Sequence, residues 1–196
     1  MSALPQHKYT LDEYLALDKN SEGRYEYFDG VVVELSGASL SHNRIVSNLS
    51  GNLRNKLEKR DCEVLPADMR LKVPATFPYR YPDVVVVCGE PVIEKMQGLE
   101  LLVNPLLIIE VLSPTTEAYD RGLKFSAYQA IASFREYLLV AQDRPHVVQY
   151  VRQPNDKWLR SEVASLNGEL TLETINCTLT MREIYQRINF QPEETS

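Results

Sequence analysis

The 196-residue sequence contains no long apolar run. A membrane-spanning helix needs about 20 consecutive apolar residues, and no stretch comes near that length. Residues 1–30 also lack a basic segment followed by a long apolar run, which is the pattern of a secretory signal. We therefore expect a protein that has no membrane partner and that works in the cytoplasm.

Several common chemical motifs are missing as well. There is no GxxxxGKS, GxGxxG or HExxH pattern, so nucleotide hydrolysis, dinucleotide binding and zinc proteolysis have no support. Ser113 has no histidine at a spacing that indicates a serine hydrolase. The three cysteines, Cys62, Cys88 and Cys177, are widely spaced and form no CxxC pair. They indicate neither a zinc site nor a disulfide framework, and we expect reduced, packed thiols.

Positive charge is scarce, because the formal net charge is -6. Proteins that hold duplex DNA usually carry a basic surface, since neutralising phosphates releases counterions. Only local basic clusters are present: Arg54, Lys56, Lys59, Arg60, Arg70, Lys72, Arg121 and Lys124. If the protein acts on nucleic acid, we expect the free protein to bind it weakly.

What is present is a pair of acidic residues at the ends of two apolar runs. Asp83 opens the run at residues 83–87, and Glu110 lies near the end of the run at residues 106–112. Because strands of this kind are buried on both faces, an isolated carboxylate beside them is costly unless it is paired, protonated or bound to a metal. If the two strands pair antiparallel, the start of one lies beside the end of the other, and the two carboxylates converge.

Two converging carboxylates are enough to hold a magnesium ion. Mg²⁺ prefers oxygen ligands and usually takes one or two protein carboxylates, with water and substrate phosphate completing its shell. The acids therefore predict a site for Mg²⁺, with Mn²⁺ as a substitute.

Four motifs together resemble a known family. They are YEYFDG at residues 25–30, SHNRIV at 41–46, YPDVVV at 81–86 and IEVLSPTT at 109–116. An acidic residue after proline, a second acid on the next apolar strand and a following lysine resemble the PD-(D/E)XK nuclease superfamily. The four motifs are similar to its Uma-type restriction-endonuclease branch, which is numerous in cyanobacteria. The likeness covers roughly residues 8–187.

This resemblance implies a fold and an activity. The expected fold is α/β (α+β), with a restriction-endonuclease-like core in which helices flank a central mixed sheet. The implied activity is metal-dependent endonucleolytic hydrolysis of phosphodiester bonds in nucleic acid, with DNA as the expected substrate. Asp83 and Glu110 would bind the metal, and Lys124 would complete the catalytic set. A non-catalytic binding or assembly module with the same fold is the alternative.

The lysine departs from the superfamily pattern. It usually follows the second acid by two residues, but that position is Leu112 here. The family resemblance implies that Lys124, on the following helix, takes over the role. Asp120 and Lys124 stand four residues apart, so an ordinary surface ion pair on a helix is the other interpretation.

Other polar residues are candidates for supporting roles. Glu34 or Glu26 is a candidate extra acid near the metal, and His42 and Asp120 are further candidates. Arg70 and Arg121 are candidate phosphate ligands. Each has an ordinary alternative as a surface charge, a helix cap or a solvated arginine.

The elements follow an order that the superfamily core uses. A helix over residues 41–59, strands at 62–73, 83–87 and 106–112, a helix over 119–132 and a strand at 136–141 are predicted from periodicity and turn signals. Before them we predict a helix over 9–18 and an N-terminal hairpin of strands 25–28 and 31–35. After them we predict a C-terminal hairpin, with strands at 147–151 and 158–163, and a helix over 180–189.

These elements predict one domain over residues 1–190 and a loose tail over 191–196. We also expect a homodimer, because cutting both strands of a duplex most simply needs two sites related by a twofold axis. Five apolar residues of the C-terminal hairpin and last helix are expected either to form the dimer interface or to pack on the sheet of their own chain: Trp158, Leu159, Ile184, Tyr185 and Ile188.

Overall fold

A central six-stranded mixed sheet organises the molecule in this computed structural model, which describes residues 7–28, 30–34, 37–74 and 79–190. The strands lie in the order β12-β11-β10-β9-β6-β3. Only the β9–β10 pair is parallel, and the other four pairs are antiparallel. The bounds are β3 Cys62–Pro66, β6 Val84–Cys88, β9 Leu107–Leu112, β10 Glu136–Ala141, β11 Val147–Arg152 and β12 Trp158–Val163. The predicted α/β (α+β) core with a central mixed sheet is confirmed.

One face of this sheet is covered by helix α2, Leu40–Leu57. Its apolar residues recur every fourth position, and Ile45, Leu49, Leu53 and Leu57 form one buried stripe as the periodicity predicts. The hairpin of β13, Glu169–Leu172, and β14, Cys177–Thr180, and the short helix α5, Met181–Ile184, pack in the same cluster.

The other face is covered by a segment of three consecutive helical turns. Helix α3, Glu117–Tyr119, continues into a π-helical turn, Asp120–Lys124, and then into α4, Phe125–Tyr128. Phe125 and Tyr128 bury their rings against Tyr137 of β10. The helix predicted over residues 119–132 therefore exists in part, with a π-helical turn at its start and an end at Tyr128.

A smaller four-stranded sheet stands beside the first, in the order β5-β4-β8-β7. Its strands are β4 Leu71–Lys72, β5 Tyr79–Arg80, β7 Ile93–Met96 and β8 Leu99–Leu102. The strand predicted over residues 62–73 is divided, because the turn at residues 67–68 separates β3 from β4 and sends them to different sheets.

The N-terminal elements pack on the smaller sheet. Helix α1, Leu11–Asn20, begins at a capping box between Thr10 and Glu13. The hairpin follows, with β1 Tyr25–Phe28 and β2 Val31–Glu34 antiparallel as predicted. Asp29 and Leu35, which belong to the predicted hairpin, and the predicted tail at residues 191–196 lie outside the described residues.

Two further differences concern the cysteines and the C-terminal end. Cys62 and Cys88 are directly opposed across β3 and β6 and form a disulfide, so the expectation of reduced thiols was wrong for this pair. Cys177 is a free, buried thiol. The helix predicted over 180–189 is only the single turn of α5, and the β13–β14 hairpin before it was not predicted.

No helix in the part of the chain described here is long and apolar enough to cross a membrane.

Candidate active site

The two strand acids lie side by side. Strands β6 and β9 pair antiparallel with Val84 opposite Ile109, and continuing this register sets Asp83 opposite Glu110. The Asp83 Oδ2 atom accepts a hydrogen bond from the Val111 backbone nitrogen at 2.7 Å, which ties the first acid to the strand that carries the second. The antiparallel pairing expected from the sequence is therefore present.

Lys124 enters this position from the π-helical turn. Its Nζ atom lies 3.2 Å from Glu110 Oε1, 3.4 Å from Asp120 Oδ1 and 3.7 Å from Glu26 Oε1. The lysine side chain is only 7% exposed, and Asp120 is buried with it, whereas Leu123 on the same turn faces solvent. The lysine and Asp120 are thus a buried pair and not a surface ion pair.

Tyrosines and a backbone amide fix the buried carboxylates. The Tyr128 hydroxyl donates to Glu110 Oε1 at 2.8 Å, and the Tyr119 hydroxyl donates to Glu26 Oε2 at 3.1 Å. The Tyr81 backbone nitrogen donates to Glu26 Oε1 at 3.1 Å. Hydrogen bonds of this kind restrict the side-chain rotamers and hold the oxygens in fixed directions.

The cluster concentrates negative charge in the interior. Burial raises the pKa of Glu110 well above its ordinary value, and the charges of Asp120, Asp83 and Glu26 raise it further, against the opposing effect of Lys124. Burial also raises the pKa of Asp120. For Lys124, burial would lower the pKa, but Glu110, Glu26 and Asp120 outweigh it and hold the pKa well above its usual range. The lysine is therefore a cation, and the carboxylates around it attract further positive charge or protons.

His42 approaches the site from the start of α2. Its backbone nitrogen donates to the N-cap Ser39 Oγ at 3.1 Å, and its side-chain Nε2 lies 3.3 Å from Asp83 Oδ2. The His42 Nδ1 atom is buried and has no hydrogen-bond partner among the described residues. The helix start therefore brings an imidazole against the metal-binding candidate Asp83, as the sequence suggested for a supporting residue.

The N-terminal hairpin supplies Glu26 to the cluster, whereas Glu34 is exposed. Glu26 lies opposite Val33 and Glu34 lies opposite Tyr25, so the two acids belong to neighbouring pairs and face opposite sides of the hairpin. Because side chains alternate between the two faces of a strand, only one of these two acids can face the cluster. The structure thus brings the alternative acid, Glu26, to Lys124.

The two candidate phosphate-binding arginines have protein partners. Arg70 binds Asp18 through Nη2 at 2.9 Å and through Nε at 3.2 Å. Arg121 binds Glu117 through Nε at 2.8 Å, one helical turn away. Arg121 lies on the π-helical turn that carries Lys124, whereas Arg70 belongs to a separate network beneath α1.

Three tyrosines of the site were not singled out from the sequence: Tyr81, Tyr119 and Tyr128. A signal existed for one of them, because Asp120, Lys124 and Tyr128 recur every fourth residue, as positions on one helical face do. The contact between Tyr119 and Glu26 spans 93 residues, and no local pattern indicates it.

The donor chemistry fits a hard divalent cation. Within the described residues no group of three or more His, Cys, Asp or Glu side chains is arranged to hold a metal ion. Asp83 and Glu110 nevertheless present carboxylate oxygens on adjacent strands, and Mg²⁺ commonly binds through one or two carboxylates with water and phosphate as its other ligands. The two-acid set agrees with that coordination habit.

The chain matches a family and solved structures. The model of the Uma2 family, described as a putative restriction endonuclease, matches residues 11–182. The chain is 33% identical over 186 residues to the uncharacterised protein slr1290 of Synechocystis sp. (strain ATCC 27184 / PCC 6803 / Kazusa), covering 95% of this chain and 96% of that protein. It is 34% identical over 161 residues to the uncharacterised protein sll1609 of the same organism, covering 82% of this chain and 90% of that protein.

The fold is similar to the crystal structure of a putative nuclease belonging to DUF820 from Anabaena variabilis ATCC 29413. The TM-score is 0.72 at 17% sequence identity, over 90% of this chain and 97% of that chain. The resemblance drawn from the four motifs is thereby confirmed. Because the family match extends over most of the sequence, the chain belongs to the Uma2 family of putative restriction endonucleases.

Proposed function

We propose that the protein is a metal-dependent endonuclease that hydrolyses phosphodiester bonds in DNA. The observation that carries this proposal is the convergence of Asp83, Glu110 and Lys124, with the ammonium 3.2 Å from the Glu110 carboxylate. Membership of the Uma2 family supports the same reaction class.

Asp83 and Glu110 would hold Mg²⁺, or Mn²⁺ in its place. The bound metal supplies Lewis-acid activation of water and neutralisation of phosphate charge. Lys124 contributes a fixed positive charge, because its raised pKa keeps it protonated, so its role is electrostatic and not that of a general base. His42 would orient Asp83 through their 3.3 Å contact.

Substrate binding would depend on the site more than on the surface. With a net charge of -6 the protein gains little non-specific attraction for DNA, so the bound metal must offset the acids locally. Of the two arginines, Arg121 is the better candidate for a phosphate contact, since it adjoins Lys124. Arg70 is committed to Asp18, whose side chain is fully buried.

The proposal includes a homodimer of single-domain chains, each folded over residues 1–190, in the cytoplasm. Leu159 on the edge strand β12 is 59% exposed and is available for a subunit contact. Trp158, Ile184 and Tyr185 instead pack in their own cores, and Ile188 packs against one of them. Light scattering at micromolar concentration tests the dimer. If the protein is a monomer, nicking of duplex DNA or cleavage of single strands are the activities that fit a single site.

The nuclease proposal is tested by three substitutions and a matched control. Asp83→Ala, Glu110→Ala and Lys124→Ala should each abolish Mg²⁺- or Mn²⁺-dependent cleavage of plasmid DNA while circular dichroism shows a folded protein. Glu34→Ala removes an exposed acid of the same hairpin that supplies Glu26, and it should cleave like the wild type. Full cleavage by Lys124→Ala would reduce the lysine to a packing role.

A binding or assembly module is the second candidate. It is favoured by the contacts of Lys124 with Glu110, Asp120 and Glu26, because its ammonium already offsets part of their charge. Titration calorimetry with Mn²⁺ separates the two functions. Saturable binding that Asp83→Ala removes supports the nuclease, whereas no binding together with no cleavage supports the module.

A further inference from the structure

We propose that Asp18 is a positioning residue for the candidate active site, acting through Tyr81. This inference rests on the proposed function and extends it to a residue of α1 that contacts none of the catalytic candidates. Asp18 would hold in place the segment that leads into Asp83 and that donates a hydrogen bond to Glu26. Glu26 and Asp83, which lie on different elements, would thereby keep a fixed position relative to each other.

The anchor is a fully buried carboxylate with three partners. The Asp18 side chain has 0% exposure, and its Oδ2 atom accepts hydrogen bonds from Arg70 Nη2 at 2.9 Å and from the Tyr79 hydroxyl at 2.7 Å. The Tyr81 hydroxyl lies 3.0 Å from both Asp18 oxygens. The Arg70 guanidinium also stands 5.6 Å from the Tyr79 ring centre and 5.4 Å from that of Tyr81. One carboxylate therefore fixes two tyrosines of the segment before β6.

Tyr81 connects Asp18 to the candidate active site through its side-chain hydroxyl and its backbone nitrogen. Its hydroxyl binds Asp18, while its backbone nitrogen donates to Glu26 Oε1 at 3.1 Å. Tyr81 also precedes Asp83 by only two residues, and Pro82 between them restricts the backbone. A displacement of Tyr81 would therefore move the partner of Glu26 and the approach to Asp83 together.

Helix α1 makes a second connection from the same face. Tyr14 stands one turn before Asp18, and its hydroxyl donates to the Tyr25 backbone oxygen at 2.7 Å. Tyr25 immediately precedes Glu26, so α1 holds the backbone of the hairpin acid through Tyr14 and its carboxylate through Asp18 and Tyr81. The helix thus acts as a clamp between β1 and the segment that enters β6.

The state of the network agrees with this role. Burial raises the pKa of Tyr79 to about 12, so its hydroxyl stays protonated and keeps donating to Asp18. Stability alone does not call for such a network, because a buried ionic group is often no better for stability than apolar packing of similar volume.

The test compares two buried acids that both lie outside the catalytic cluster. Asp18→Ala removes the anchor, and Glu136→Ala removes an equally buried acid at the opposite end of the main sheet. Asp18→Asn keeps one acceptor oxygen, and Tyr81→Phe removes a single hydroxyl and preserves the fold if Asp18→Ala does not. For each variant, kcat and KM with plasmid DNA, the Mn²⁺ affinity by calorimetry and a crystal structure are obtained.

Asp18→Ala should lower kcat about 10- to 100-fold with KM nearly unchanged, since small misplacements of catalytic groups have effects of this size. Tyr81→Phe should lower kcat less than Asp18→Ala does. The double variant that combines Asp18→Ala and Tyr81→Phe should have a kcat no lower than that of Asp18→Ala alone. Asp18→Asn should have a higher kcat than Asp18→Ala. Mn²⁺ affinity should fall in the same order, and the Glu26 carboxylate should leave the Tyr81 nitrogen in the crystal. Glu136→Ala should change none of these.

Equal losses in Asp18→Ala and Glu136→Ala would overturn the anchor in favour of general destabilisation. So would unchanged positions of Glu26 and Asp83 in the crystal structures of Asp18→Ala and Tyr81→Phe. If the wild-type protein cleaves no nucleic acid, the nuclease proposal fails, while the crystal structures still decide whether Asp18 positions the two acids.

Discussion

Glu110 and Glu136 are two buried glutamates on neighbouring strands, 2% and 0% exposed, and they are surrounded by different chemistry. Glu110 faces Lys124, Asp120, Asp83 and Glu26 on the face covered by the π-helical turn. Glu136, at the other end and on the opposite face, is held by neutral groups from Gln149 and Thr174.

Burial raises the pKa of both carboxyl groups. The two residues therefore differ in the groups that surround the carboxyl. Around Glu136 the hydrogen-bond donors are neutral, and the charge of Glu173 affects its pKa less than burial and these hydrogen bonds do. Glu110 is surrounded by charged side chains, with more acids than cations. The cluster therefore attracts a cation or a metal bound to phosphate. Burial alone does not mark a functional acid, but its neighbours do.

The largest effect is expected from Lys124→Met. Removing one partner of a buried ion pair typically costs about 3 to 5 kcal/mol, because charges are left buried and unpaired. Burial raises the pKa of Glu110 and of Asp120 in the folded state, so the stability that these two carboxyls contribute at acidic pH is lost as the pH rises through their folded pKa values. The charge of Lys124 lowers both pKa values and limits this loss, so the contribution of Lys124 is greatest at the higher pH. Urea unfolding at pH 5 and pH 8 should therefore show a loss that is larger at pH 8.

Arg121→Met is the control for Lys124→Met, since it removes a partly exposed cation from the same turn. Its effect should stay below about 1 kcal/mol at both pH values, as for other surface pairs. A loss for Lys124→Met that does not depend on pH would show that the carboxylates around it do not carry the charge assigned to them.

His42→Ala should have the next largest effect, because its imidazole contacts Asp83 beside Glu110, whereas the hydrogen-bond donors to Glu136 are Gln149 and Thr174. Outer partners of metal ligands typically contribute about 10- to 100-fold in affinity or activity. Mn²⁺ affinity should fall within that range while the melting temperature changes little. An affinity equal to that of the wild type would make His42 a helix-start residue without a role at Asp83.

Glu136→Gln should alter the pH dependence of stability and leave cleavage unchanged. The folded pKa of Glu136 is raised, so its contribution to stability is complete below its ordinary pKa of 4.5 and is lost as the pH rises through the folded value. The amide variant loses this dependence, at a cost of about 1 to 2 kcal/mol near pH 4 from imperfect hydrogen bonding.

Glu183→Gln is the control of opposite sign for Glu136→Gln. Burial opposes the shift at Glu183, but hydrogen bonds from Lys56 and Thr180 lower its pKa, so its contribution is lost as the pH falls. Parallel pH profiles for the two variants would contradict the assignment.

The smallest effect is expected from Glu34→Gln, because this acid is exposed and has no role in the cluster. Stability should stay within about 0.5 kcal/mol of the wild type, as for most surface substitutions. Glu26→Gln, the matched change on the partner strand, should weaken Mn²⁺ binding clearly. Similar results for the two would mean that the choice of face in the hairpin does not matter.

The main sheet and the position of its acids could be predicted because they depend on local patterns. The runs around Asp83 and Glu110 are too apolar for exposed strands, and antiparallel pairing of their ends follows from geometry. The Cys62–Cys88 pair could not be predicted, since it depends on the register between β3 and β6 and not on spacing along the chain.

The choice of Glu26 over Glu34 and the role of Arg70 were beyond reach for a related reason. Both depend on which surface of a short element meets another element far away in sequence. Arg70 is basic and directly precedes strand β4, but the buried Asp18 that it binds lies on a helix 52 residues earlier.

The wide sequence separation within the cluster has a consequence for the newly made chain. The bond from Tyr119 to Glu26 closes a loop of 93 residues, and the one from Val111 to Asp83 closes a loop of 28 residues. Long loops are closed at an entropic cost that is recovered only when the packed core forms, so such contacts arise late in folding. A ribosome-bound or partly unfolded chain is therefore expected to lack these contacts, so the candidate site is assembled only when folding is complete.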